Sequence, residues 1–130
     1  MIGIVIVMHG GTAGELLASV EHVLGRQPAI RALSVEADHD RTAKQTEITA
    51  AADAVDSGEG VVVLTDLFGG SPANLSLGAC ATRGRRMIYG TNLATLIELV
   101  KNRDLPVDEA VRRAKEAGRK YIGSKNVSSD

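Results

Sequence analysis

The sequence predicts an α/β fold, an open, mostly parallel, doubly wound sheet of four to five strands with helices on both faces. Three observations carry that expectation. Residues 2–7 and 61–64 are β-branched apolar runs without polar alternation, as in strands buried on both faces. Segments with apolar residues at helical spacing alternate with these runs. Aromatic residues make up only 2% of the 130 residues, against 44% hydrophobic residues, so the core is built from Val, Ile, Leu and Ala.

Residues 2–7 form the first strand, interrupted only by Gly3. The turn His9-Gly10-Gly11 follows. Leu16, Leu17, Val20, Val23 and Leu24 then recur at helical spacing, until Gly25 and Pro28 end that helix. Residues 30–35 are a weaker second strand, and 36–41 a polar loop. A second helix is expected over residues 42–55, closing near Ser57-Gly58, and a third strand over 61–64. Ser71 is the expected N-cap of a third helix, with Pro72 at its first position. Residues 86–89 read as a fourth strand, and 92–100 and 107–122 as two more helices. A single domain is expected over residues 1–123, with 124–130 a polar tail that frays.

Composition narrows the function. The net charge of −1 gives no electrostatic case for nucleic acid or for a membrane surface. Scarce aromatics argue against stacking on bases or sugars. The single cysteine, Cys80, permits no internal disulfide and fits a reducing compartment. It lies in a small-residue run and reads as an inert core thiol. The apolar N-terminal run is too short to span a bilayer and lacks the flanks of a signal peptide. A cytoplasmic location is expected, with any membrane association made through partners.

In a doubly wound sheet, ligands bind beyond the carboxyl ends of the strands, at the switch point where the chain reverses its winding. In the common five-strand order that gap lies between strands 1 and 3. The first strand runs into His9 and the third into Asp66, so the pair meets there although 57 positions apart. A neutral imidazole attacks through one nitrogen. A carboxylate accepting the N–H of the other fixes the tautomer and steadies the cation that forms. Phosphoryl oxygens would then need donors. Candidates are the Ser71 hydroxyl, the amides around Ser71, Ala73 and Asn74, and those of Gly10, Gly11 and Thr12. Glycines at 10, 11, 69 and 70 allow close approach. Transfer of a phosphoryl group onto an imidazole rests on positioning and electrostatics, so no cofactor or metal is required.

Other chemistries lack their residues. There is no G-x-x-x-x-G-K-[ST], no G-x-G-x-x-G and no G-x-S-x-G. Asp38-His39-Asp40 reads as a solvated loop and helix cap, and His22 as a surface residue of the first helix. Arg83, Arg85 and Arg86 read as a solvated edge. Arg112, Arg113, Lys115, Arg119 and Lys120 read as the exposed face of the last helix.

The segments "MIGIVIVMHG" and "VVVLTDLFGGSPANLS" resemble two signatures of the mannose/fructose-type IIA domains of the bacterial sugar phosphotransferase system. "GTNLATLIEL" and "EAVRRAKEAGRKYI" resemble two further segments, so the similarity spans nearly the whole chain. D-x-F-G-G-S-P-x-N is the most specific element. The resemblance implies a protein-histidine phosphotransferase. His9 matches the phosphorylated histidine, Asp66 its orienting carboxylate, and Ser71 a residue near the phosphoryl group. The implied donor is phospho-HPr or a paralogue, the acceptor a IIB component, and the assembly a homodimer. Ala94 stands where many members have proline, which leaves the loop after the fourth strand less rigid. The same site equally suits a regulatory module whose phosphorylation switches its affinity for a target enzyme or kinase. A third option, the phosphotransfer subunit of dihydroxyacetone kinase, is opposed by the Phe68-Gly69-Gly70-Ser71-Pro72 turn.

Overall fold

A computed structural model describes residues 1–129. Strands β1 (Gly3–His9), β2 (Ile30–Val35), β3 (Val61–Thr65) and β4 (Arg85–Ile88) alternate with helices α1 (Thr12–Leu24), α2 (Arg41–Val55) and α3 (Ser71–Ser76). Helices α4 (Leu93–Lys101) and α5 (Val107–Lys120) follow, and short 3₁₀ turns occur at Ala79–Ala81 and Val127–Ser129. The strands form one parallel sheet in the order β2-β1-β3-β4. The chain thus leaves β1 toward one edge and returns to β3 on the other side of β1. That reversal is the switch point the sequence predicts.

Strand alternation divides the core in two. Ile4, Ile6 and Met8 of β1 pack with Val20 of α1, Leu96 and Leu99 of α4, and Ala110 and Ala114 of α5. Val5 and Val7 face the other way, onto Ile48, Ala52 and Val55 of α2 and Leu75 of α3. Both faces are covered, which is why β1 and β3 carry apolar residues at consecutive positions.

Several boundaries differ from the sequence reading. β1 continues through His9, because β2 pairs with it up to His9 opposite Val35. β3 likewise includes Thr65, opposite Val7. His9 is therefore the last residue of a strand rather than part of the turn. α3 is capped by Gly70, not Ser71, which is its first helical residue, and no side chain makes the cap bond. Asn92 lies outside α4 as its cap: its side chain accepts from Thr95 N–H, while the Thr95 hydroxyl accepts from Asn92 N–H. The expected tail lies exposed over residues 123–128, and Asp130 falls outside the described residues.

The basic cluster needs correction. Arg83 and Arg86 are exposed, but Arg85 is buried. Its Nη2 donates to Asp53 at 2.7 Å and Asp56 at 3.2 Å, and Nη1 donates to the Ala79 carbonyl at 3.0 Å. Burial acts to lower the Arg85 pKa, but the two carboxylates outweigh it and the guanidinium stays charged. Arg103, also buried, donates to the carbonyls of Ile2, Pro28 and Ala29 at 2.7–2.9 Å, closing the edge of the sheet opposite His9. Cys80 is part-buried, and that burial pushes its thiol up despite nearby Arg85. Among the described residues no helix is long and apolar enough to cross a membrane.

Candidate active site

Adjacent parallel strands end side by side, so β1 delivers His9 and β3 delivers Asp66 to one spot on the carboxyl edge of the sheet. Two contacts join them. The His9 backbone N–H donates to Asp66 Oδ2 at 3.0 Å, and His9 Nδ1 lies 2.8 Å from the same oxygen. The Leu67 N–H donates to Oδ1 at 3.1 Å. The carboxylate is thus held by two main-chain donors before it meets the ring. Partial burial acts to raise its pKa, but the His9 amide and ring bonds outweigh that, and the Asp66 carboxyl titrates below its ordinary range.

An ionised carboxylate only accepts hydrogen bonds, so the Nδ1–Asp66 contact puts the ring proton on Nδ1. Nε2 then carries the lone pair. The His9 side chain is 49% exposed, against 22% for Asp66, so the orienting group is sheltered and the ring is reachable. Gly70 backs the ring. A β-carbon there would lie 3.2 Å from His9 Cε1 and 3.7 Å from Nε2, so a larger residue would push the imidazole aside. This close approach, rather than backbone freedom, is the reason for glycine at 70, where φ is −79°.

The other expected phosphate donors divide. The Gly10 N–H is engaged by the Val35 carbonyl at 3.1 Å, and so is not a free donor. Gly11 caps α1 and Thr12 is its first residue, so the amides opening that helix lack acceptors within it. Asn74 is committed to its own loop: its N–H donates to Gly70 O at 3.0 Å and its Nδ2 to Gly69 O at 3.2 Å. Gly69, at φ +80°, provides the turn that allows this. The Ser71 hydroxyl makes no hydrogen bond among the described residues, and the Ser71 and Ala73 amides lie in the first turn of α3. α3 has only six residues, so individual N–H groups matter here more than a helix dipole.

Neither remaining histidine bonds His9 or Asp66 among the described residues. His39 Nδ1 contacts the Glu36 carbonyl at 2.8 Å, and Asp40 caps α2 through Ala43 N–H at 3.0 Å. His22 is exposed on α1. Among the described residues no group of three His, Cys, Asp or Glu is arranged to hold a metal ion. The residue-by-residue reading missed the apolar rim of the site. Leu67, Phe68 and Tyr89 are exposed beside it, and the Phe68 and Tyr89 rings stand 4.6 Å apart. The available signal was that two of the chain's three aromatic residues lie within three positions of a strand end, Phe68 after β3 and Tyr89 after β4.

Comparison with known proteins agrees with this fold. A family model described as the fructose IIA component of the phosphotransferase system matches residues 3–115. The mannose-specific EIIAB components of Escherichia coli K12 and Shigella flexneri are each 30% identical over 124 residues, 93% of this chain. The chain spans only 38% of the length of those relatives. Among solved structures, the phosphotransferase system component EIIA from Streptococcus agalactiae superposes with a TM-score of 0.85 at 27% identity, covering 95% of this chain and 97% of that one. The mannose/sorbose specific IIA subunit from Enterococcus faecalis gives 0.85 at 26% identity, covering 97% and 96%. The matched family model spans most of the chain and the fold is that of these IIA subunits, so the chain belongs to the mannose/fructose-type IIA family of the phosphotransferase system.

Proposed function

We propose that the protein is a phosphohistidine carrier that accepts a phosphoryl group on Nε2 of His9 from phospho-HPr, or a paralogue of it, and passes it to a IIB component. The observation that carries this reading is the 2.8 Å contact between His9 Nδ1 and Asp66, which leaves Nε2 as the nucleophile. The Nε2 lone pair forms the new N–P bond while the N–P bond of the donor breaks. The bonding pair stays on the donor's imidazole nitrogen. His9 keeps its Nδ1 proton throughout, and the positive charge gained by the ring is met by Asp66.

The Ser71 hydroxyl and the amides of Gly11, Thr12, Ser71 and Ala73 are the donors we assign to the phosphoryl oxygens. Gly70 leaves room for the group, and Gly10, Gly69 and Asn74 shape the loops around it. The step calls for no cofactor. We place the protein in the cytoplasm, meeting the membrane only through its partners, and read it as a homodimer. The outer edge of β4 supports the dimer: among the described residues it is unpaired, and a groove of about 570 Å³ runs beside it against α5. Incubation with phospho-HPr followed by intact-mass measurement tests the carrier role. The native chain should gain one acid-labile phosphoryl group and His9→Ala none; labelling of the alanine variant would place the acceptor elsewhere.

A further inference from the structure

The loop that carries Asp66 also carries two exposed apolar side chains. Leu67 is 60% exposed and Phe68 77%, while Tyr89, the first residue beyond β4, is 54% exposed. The Phe68 and Tyr89 rings are tilted by 44° and bridge the loops after β3 and β4 into one apolar surface. That surface adjoins the nucleophile. A β-carbon on Gly70 would touch His9 Cε1 on one side and lie 3.7 Å from Leu67 Cβ on the other, so a single glycine separates Leu67 from the ring.

Transfer between two proteins dictates what lies over this rim. The donor nitrogen, the phosphorus and Nε2 must align with reacting atoms about 3–3.5 Å apart. Even a weak contact of about 600 Å² per partner reaches about 14 Å from its centre. A contact centred on Nε2 therefore covers Leu67 and the rim continuous with it. On its other side His9 pairs with Val35, and the loop that follows exposes Glu36 and Asp38, which make no ion pair among the described residues.

We infer that Leu67 and Phe68 form the docking surface for the protein that brings the phosphoryl group, with Tyr89 backing the Phe68 ring from the β4 side. That partner presents its phosphohistidine on a face that is apolar toward the β3–β4 side and cationic toward the Glu36–Asp38 side. The inference rests on the carrier reading above and adds the partner's surface chemistry to it. The rim contributes to encounter and not to bond making, so its loss raises KM for the protein donor and spares transfer from a donor too small to reach it.

Phe68→Ser and Leu67→Ser test this, with Val23→Ser on α1, 56% exposed, as a control for the loss of an apolar surface group. Each variant is phosphorylated by phospho-HPr and, separately, by phosphoramidate, whose N–P bond breaks with release of ammonia. We expect about a tenfold rise in KM for phospho-HPr in both rim variants with kcat within about twofold, and phosphoramidate labelling unchanged throughout. Val23→Ser should match the native chain. An unchanged KM in both rim variants overturns the docking surface while leaving the carrier role intact. Equal losses with both reagents overturn it too, showing that the rim shapes the site. A shift in oligomeric state with unaltered KM assigns the rim to contact between copies instead. No labelling of the native chain by either reagent overturns the carrier reading and this one together.

Discussion

At the scale of single residues, Asp66 does two jobs with one oxygen. Oδ2 accepts the backbone N–H of the residue that it orients and the ring of the same residue. The first bond fixes the carboxylate against β1, so the second sets the ring without relying on side-chain packing. On the carrier reading proposed above, Asp66→Asn removes the charge that would meet a phosphorylated ring, and we expect the phosphotransfer rate to fall about a hundredfold in rapid-quench measurements. The stability consequence has a definite sign. The folded pKa of Asp66 lies below its ordinary value of 3.8, so the unfolded chain binds the proton more tightly. The stabilisation is in place above the unfolded value and is lost as the pH falls through the folded one. In denaturant titrations, the stability gap between the native chain and Asp66→Asn should therefore hold near neutrality and shrink below about pH 4. The His9–Asp66 pairing was legible in the sequence because both residues sit at the ends of strongly apolar strands whose order is common. The engagement of the Gly10 amide was not legible. It depends on Val35, on a strand 25 positions downstream whose pattern is weak.

At the scale of elements, neighbouring strands set the boundaries more than local propensity does. β1 extends to His9 because Val35 stands opposite it, and no residue of β1 alone encodes that. The same logic applies to its first residue. A β-carbon at Gly3 would come within 2.3 Å of the Val55 carbonyl oxygen at the end of α2. Gly3→Ala must separate β1 from α2, and we expect a loss of about 1–3 kcal/mol in chemical denaturation. The fate of Arg85 shows why charge clusters mislead at this scale. Three nearby arginines look like a solvated edge, but Asp53 and Asp56 at the end of α2 lie about thirty residues earlier and draw only one of them inside. The surface reading does hold for α5, where Arg112 and Arg113 both bond Glu109 on the exposed face. Those bonds pull the Glu109 pKa down to about 2.

At the scale of the whole molecule, the amino ends of the strands are closed while the outer side of β4 is open. Buried Arg103 ties together the carbonyls of Ile2, Pro28 and Ala29 at the amino ends of β1 and β2. Among the described residues the outer side of β4 has no strand against it and faces the groove lined by Arg86, Tyr89, Lys115 and Arg119. If copies pair there, sedimentation equilibrium at micromolar concentration should return twice the chain mass; a single-chain mass would remove the dimer from the account. The carboxyl edge carries the site because the ends of β1 and β3 meet there at the switch point, and the alternation of strands and helices made this legible before any contact was known. The apolar rim was not legible, because exposure is decided by where loops stop and not by which residues they carry.

The central claim is that Asp66 holds the Nδ1 proton and leaves Nε2 to carry the phosphoryl group. Long-range ¹H–¹⁵N correlation spectroscopy of the phosphorylated, ¹⁵N-labelled protein tests it most directly. The account predicts phosphorus coupled to Nε2 of His9 with the proton retained on Nδ1, whereas phosphorus on Nδ1, or on any other residue, would contradict it.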